Sequence, residues 1–395
     1  MYSNSRSINK CKFSVLSSEQ MEIVVNTRLL LKNKLEGIGW FSYETLKRIT
    51  IAHPEHHFVF LFDRDFDEEF IFSDNITPLI LSPQARHPVL FYWWFEYSVA
   101  GFLNKYKPDL FISPDGYLSL HANVKQLAVI HDLNFEHYPN DLPFPVRKYY
   151  HYFFPKFAHK ASRIATVSQF SKNDIVKQYG INPQNIDVVY NGCNQLYKPV
   201  PEEIKQRVKQ RYSQNCDYFL FVGALHPRKN ICRLFQAFDA FKQTQYTDAK
   251  LLIVGEKYYW TKEIKHAYLN MKNKKDVVFT GHLSTEDLVN ITGATIALVY
   301  VPYFEGFGIP ILEAMNCDIP VITSNVTSMP EVAADAALLV DPFSVNSIAD
   351  AMLTLYNNHD IRNSLIEKGR KRKLDFSWEK TANALWQCAE KAVSR

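Results

Sequence analysis

The chain reads as an α/β protein of two doubly wound domains, and three features of its 395 residues carry that reading. Short apolar runs alternate with helical patterns from Met21 onward. The rhythm restarts near residue 215. Between the halves lies Tyr197-Lys-Pro-Val-Pro-Glu202, whose closely spaced prolines stop both a helix and a central strand. A chain of this length exceeds one ordinary core and suits two domains of roughly 150–200 residues each.

The first half offers strands at 21–26, 57–62, 109–113, 125–130, 163–167 and 186–190, and the second at 217–222, 250–254, 276–279, 294–301, 320–323 and 337–340. These runs are rich in Val, Ile, Leu and Phe with little polar alternation, as strands buried on both faces are. Helical patterns at 41–51, 170–179, 231–243, 284–291 and 345–357 fall between them. Repeated strand–helix alternation builds a parallel sheet covered on both sides. We therefore expect a flexible, Ser/Asn-rich tail over 1–20, a first domain over 21–198 and a second over 199–375. A C-terminal helix over 376–395 is expected to cross back to the first. Such domains bind ligands at the carboxyl ends of their strands, so two facing domains form one cleft.

Composition narrows the function. A net charge of +4 without long basic runs lacks the footprint of a nucleic-acid protein. The six cysteines (11, 193, 216, 232, 317 and 388) show no CxxC spacing and no clustered histidines, which speaks for reduced cytosolic thiols over zinc or disulfides. The first 20 residues carry no apolar signal-peptide core. The run from Pro88 to Leu103 is shorter than the roughly 20 residues of a membrane span and holds Glu96 at its middle. A cytoplasmic protein is expected.

Charged residues collect after strands in the second half. The run Tyr218–Val222 ends in Gly223-Ala-Leu-His-Pro-Arg228-Lys229-Asn230, where a glycine turn and two cations near a helix start attract a phosphate. Alone, such a pair is more often a solvated surface feature. Further on, Pro302-Tyr-Phe-Glu305-Gly306-Phe307-Gly308-Ile309-Pro310 leads to Glu313. Pro310 suits the first turn of a helix. Backbone N–H groups from Gly306 to Ile309 can then bind a sugar or diphosphate, and Glu313 can accept ribose hydroxyls. Helix capping accounts for either glutamate separately, but not for both with the glycines.

Glu305-x7-Glu313, with Gly306, Phe307, Gly308 and Pro310, resembles the EX7E signature of retaining GT-B glycosyltransferases of the "glycosyl transferases group 1" family. Gly223-x4-Arg228-Lys229-Asn230 resembles that family's phosphate-clamping loop, and Pro330-Glu331-Val332 and Phe376-Ser-Trp378-Glu also match. The likeness runs from Met21 to about residue 390. It implies a GT-B fold, two Rossmann-like domains facing a central cleft. It also implies that Arg228 and Lys229 neutralise the departing diphosphate, Glu305 contacts donor-sugar hydroxyls and Glu313 the ribose. Front-face attack with retention is implied too, the leaving phosphate helping to deprotonate the acceptor. His226 departs from the acidic residue that this loop variant often carries.

The first half adds outposts. Gly37-Ile-Gly39 precedes a helix and permits close approach of backbone to ligand, though a plain turn is the commoner reason for such a pair. It is similar to the family's GIGRY-type loop, with Trp40 where a basic residue is usual. His131 follows a strand, and the resemblance places it beside the donor sugar. Ser168 reads as a helix N-cap. Asp63-Arg-Asp65-Phe-Asp67 contains a DxD, the metal site of the other major glycosyltransferase fold, but follows a strand in the wrong domain. The basic, aromatic stretch 147–160 suits a core-packed helix better than a membrane surface.

The expected activity is transfer of a hexose, with a lean to mannose, from a nucleoside-diphosphate sugar to a glycan or lipid-linked acceptor in surface polysaccharide assembly. No metal and no cofactor is expected, no nucleic acid, and at most peripheral membrane contact. Two other readings remain: a GT-B epimerase or phosphorylase, and a non-catalytic sugar-nucleotide-binding subunit.

Overall fold

The computed structural model describes residues 20–256 and 260–394, so the expected tail and Cys11 lie outside the described residues, Gln20 excepted. The first sheet contains β1 (Glu22–Asn26), β2 (His57–Phe62), β3 (Ile76–Ile80), β4 (Leu110–Ser113), β5 (Gln126–Val129), β6 (Arg163–Thr166) and β7 (Ile186–Val188). The second contains β8 (Tyr218–Val222), β9 (Lys250–Val254), β10 (Val277–Gly281), β11 (Ala297–Tyr300), β12 (Val321–Ser324) and β13 (Ala337–Val340). The orders are β3-β2-β1-β4-β5-β6-β7 and β10-β9-β8-β11-β12-β13, with every pairing parallel. Both are doubly wound, and both reverse direction at one point: between β1 and β4, and between β8 and β11. A crevice opens at the carboxyl end of each reversal.

The sequence reading missed β3. Pro78 stands at its centre and has no N–H to give, which argues against an interior strand. Here β3 is the sheet edge and pairs with β2 alone, so the missing donor breaks no second ladder. The run read as 294–301 is shorter as a strand, because the helix Thr285–Ala294 extends to its start.

Pro88–Tyr106 folds as helical turns with a π-helical stretch, Trp94–Val99, at its centre. Glu96 is buried there and accepts the N–H groups of Leu120 and His121 at 3.0 and 3.1 Å. No helix among the described residues is long and apolar enough to cross a membrane.

The terminal helix Trp378–Val393 packs on the first-domain helix Gly37–Ala52 and on β4, β5 and β6. Arg48 pairs with Glu379 at 3.0 Å and Lys391 with Asp187 at 2.9 Å. The two crossings between lobes touch: a Cβ on Gly192 would lie 2.3 Å from Trp378 N.

Candidate active site

The second-lobe crevice holds a compact charged cluster. β8 leads through Gly223, at φ +143°, to the 3-10 turn Pro227–Lys229. His226 Nδ1 accepts the Arg228 N–H at 3.3 Å and so caps that turn. It performs the capping an acidic residue would, without adding charge: burial, then Arg228 and Lys229, bring its pKa down to about 4. β11 leads to Glu305, and Tyr303 N bonds Arg228 O at 3.0 Å, tying the loops together.

Arg228 Nη1 donates to Glu305 Oε1 at 2.5 Å, and Lys229 Nζ pairs with the same oxygen. Lys229 also donates to the Tyr300 hydroxyl at 2.6 Å. Burial opposes the charge on Glu305, but Arg228 and Lys229 outweigh it and hold the carboxyl at about 2. For Lys229 burial wins, and its pKa falls despite Glu305. Two cations against one carboxylate leave an excess positive charge in a place shielded from water, where charge interactions are strong.

The following loop reaches the other lobe. A Cβ on Gly306 would lie 2.3 Å from His131 O and 2.9 Å from Asp132 Cβ, so only glycine admits this approach. Gly308, at φ +99°, precedes the helix Ile309–Asn316. The backbone N–H groups of Gly306, Phe307, Gly308 and Ile309 have no hydrogen-bond partner among the described residues. Ser328 Oγ donates to Glu305 O at 2.9 Å and fixes the loop from beneath.

Other expected donor residues are placed differently. The Asn230 side chain is buried and donates to Val301 O and Pro342 O at 3.0 and 2.7 Å, so it fastens loops and does not face the cleft. The Phe307 ring packs among Tyr190 and Phe376. Gly37 and Gly39 lie inside the first turn of their helix. Gly39 makes room for Leu29 O, 3.1 Å from where a Cβ would be, whereas Gly37 is exposed with open space beside it. Glu313 lies over one turn into its helix and hydrogen-bonds Tyr197 of the linker; burial raises its pKa to about 7.

In the first lobe, His131 Nε2 donates to Pro114 O at 2.8 Å and its ring meets Phe41 edge-on. Burial lowers its pKa, which favours the neutral ring, and its Nδ1 has no hydrogen-bond partner among the described residues. Sequence reasoning missed the neighbouring pair Arg28 and Asp115 at the β1–β4 reversal. Arg28 Nε donates to Asp115 Oδ2 at 2.7 Å, while Asn26 and Ser113 fill Oδ1 at 2.8 and 2.9 Å. The guanidinium lies 4.6 Å from the Tyr117 ring centre and 5.1 Å from that of Phe91. Only the position of Arg28 just past a strand could have flagged it.

Of the DxD stretch, Asp63 and Asp67 are engaged locally and Asp65 is exposed. Asp63 is buried and accepts from Arg64 and from Ala85 N, and Asp67 pairs with Lys32 at 2.5 Å. Among the described residues, His53, Glu55 and His56 gather possible metal ligands within 4.8 Å, away from the cleft. His56 Nδ1 accepts the Met21 N–H at 3.1 Å, which leaves the neutral ring's proton on the nitrogen a metal would need.

Comparison with known proteins matches each lobe separately. Residues 202–372 match the family described as "Glycosyl transferases group 1", and residues 37–195 that described as "Glycosyltransferase Family 4". The chain is 28% identical over 375 residues to the O-antigen chain mannosyltransferase B of Escherichia coli, covering 91% of this chain and 97% of that protein. It is 31% identical over 218 residues to the O-antigen chain mannosyltransferase RfbU of Salmonella typhimurium, covering 55% and 57%. In fold it is similar to Anabaena Alr3699/HepE, crystallised with UDP-glucose, at a TM-score of 0.73 and 17% identity over 95% of this chain and all of that one.

Proposed function

We propose that this chain, a group 1 glycosyltransferase with the GT-B fold, transfers mannose from a nucleoside-diphosphate donor to a growing surface glycan. The observation that carries the reading is the Arg228–Lys229–Glu305 cluster at the strand reversal of the second lobe, its glutamate buried and its following glycine, Gly306, set against the His131 backbone of the first lobe. Mannose and the surface glycan are supported by the O-antigen mannosyltransferases to which the chain is similar, one along nearly its whole length.

As the anomeric C–O bond breaks, negative charge grows on the diphosphate and positive charge on the sugar. Arg228 and Lys229, fixed by Glu305 and Tyr300, meet the growing anion without rearranging, and the open N–H groups of Gly306–Ile309 add donors. Glu305 stays ionised through the working pH range, so it can accept sugar hydroxyls. His131 Nδ1 offers a neutral acceptor opposite. Transfer with retention and without a metal ion is part of this proposal.

A lipid-linked acceptor and contact with the inner membrane face complete it. Trp93, Tyr97, Phe144 and Tyr152 are more than half exposed or at half, on adjoining helical segments. Lys148 lies 4.7 Å from the Phe144 ring and Lys156 3.4 Å from that of Tyr152. Aromatic side chains mixed with cations suit an anionic lipid surface.

The test is a donor panel of guanosine- and uridine-linked mannose and glucose, read by thermal shift and then by transfer to an extracted glycan acceptor. A mannose donor should stabilise the protein by mass action and release nucleoside diphosphate only with acceptor present. Release or epimerisation without acceptor would favour the epimerase or phosphorylase reading. Binding without turnover would favour a silent subunit.

A further inference from the structure

Pro330-Glu331-Val332 takes no part in the chemistry above, yet its carboxylate reaches across the cleft. Glu331 stands in the first turn of the short second-lobe helix Met329–Ala333. Its oxygens accept the first-lobe N–H groups of Gln169 and Phe170 at 2.6 and 3.0 Å, and Oε1 also takes the Tyr190 hydroxyl at 2.8 Å. Gln169 and Phe170 open the helix Gln169–Tyr179, whose leading N–H groups have no partner within their own helix. Ser168 serves the next one, at Ser171. The positive end of a first-lobe helix is thus filled by a second-lobe carboxylate. Burial, then Glu331, push the Tyr190 hydroxyl up to about 12, which keeps it a donor.

The same short helix supports the Glu305 loop. Ser328, directly before it, donates to Glu305 O, and the Met329 thioether group lies 2.7 Å from where a Gly308 Cβ would stand. From behind, Arg372 donates to Glu331 O and Val332 O at 2.5 and 3.0 Å. In the first lobe, Ser171 Oγ donates to His131 O at 3.1 Å. Glu331 therefore bridges a support under Glu305 and a support under His131.

We propose that Glu331 is a positioning residue for transfer: a latch that holds the lobes at the separation where Glu305 and His131 face one donor sugar. The proposal rests on the functional reading above. A cap within one domain would add stability only. A cap between lobes also sets the population of the closed form, and the rate follows that population.

The test compares full-length wild type with Glu331→Ala, Glu331→Gln and Tyr190→Phe. Transfer kinetics, nucleoside-diphosphate affinity, melting temperature and radius of gyration in solution are measured together. Glu331→Ala should lower kcat roughly 10- to 100-fold, as loss of charge-assisted bonds empties the closed state. Nucleotide Kd should stay within about threefold, because Arg228, Lys229 and the open N–H groups all lie in one lobe. The radius of gyration should rise. Glu331→Gln should keep part of the rate through its amide oxygen, and Tyr190→Phe most of it. Wild-type kcat in Glu331→Ala, or a loss of kcat that tracks a fall in melting temperature at unchanged radius, overturns the latch. A wild type that transfers no sugar overturns the functional reading instead; the radius of Glu331→Ala then decides the latch alone, and no change rejects it.

Discussion

The two sheets follow one strand order, yet their crevices are chemically unlike. At the β8–β11 reversal, Arg228, Lys229 and Glu305 leave a surplus of positive charge and a row of open backbone N–H groups. At the β1–β4 reversal, Arg28 is matched by Asp115 and enclosed by aromatic rings. The first arrangement suits a diphosphate. The second suits a neutral, hydroxyl-rich molecule that can take hydrogen bonds and lie on a ring face. Topology decides where ligands go; the side chains decide which ligands.

The sharpest way to break this contrast is to remove one cation. Lys229→Ala should lower the transfer rate about 10²–10³-fold, the usual cost of one preorganised charge-stabilising group, with acceptor KM little changed. A normal rate would remove the second lobe's claim to the donor. The matching change in the first lobe is Arg28→Met. It strands Asp115 as a buried charge, and breaking a buried pair from one side costs about 3–5 kcal/mol, measurable by denaturant unfolding. Acceptor KM should rise while nucleotide affinity holds. If nucleotide affinity falls instead, the two crevices do not divide the substrates as described.

A smaller effect concerns proton linkage, and the two glutamates should differ in sign. Glu305 is held near 2, below the ordinary value of 4.5, so its contribution is present above about pH 4.5 and is lost as pH falls through 2. Glu313 is raised to about 7 by burial, so its contribution is present below about pH 4.5 and is lost as pH rises through 7. Glu313→Gln should therefore gain about 1–3 kcal/mol on wild type between pH 5 and pH 8, read from paired unfolding curves. A constant difference across that range would contradict the raised pKa of Glu313. The smallest expected effect is none. Chelator should leave transfer unchanged, and activity lost in chelator but restored by manganese would return Asp63 and Asp65 to consideration.

The contrast between crevices also explains what could be read from sequence. The strands and most helices were legible because both sheets are buried on two faces, which writes each strand as a short apolar run. β3 was not, because an edge strand tolerates the proline that disqualifies an interior one. The second-lobe cluster was legible because its charges sit within two short loops bearing glycines. Arg28 and Asp115 lie 87 residues apart and carry no local pattern, so only the sheet brings them together. Asn230 and Gly39 show what a local pattern leaves out: the Asn230 side chain donates to two carbonyls, and Gly39, in the first turn of its helix, is small enough to admit Leu29 O.

The most direct measurement is acceptor-dependent release of nucleoside diphosphate from a mannose donor, compared between wild type and Glu305→Gln. Glu305→Gln removes the charge that anchors Arg228 and Lys229 and leaves the shape. The account predicts release by wild type only when acceptor is present, and near-complete loss in Glu305→Gln with its melting curve still cooperative. Equal release by the two proteins, or release by wild type indifferent to acceptor, would contradict it.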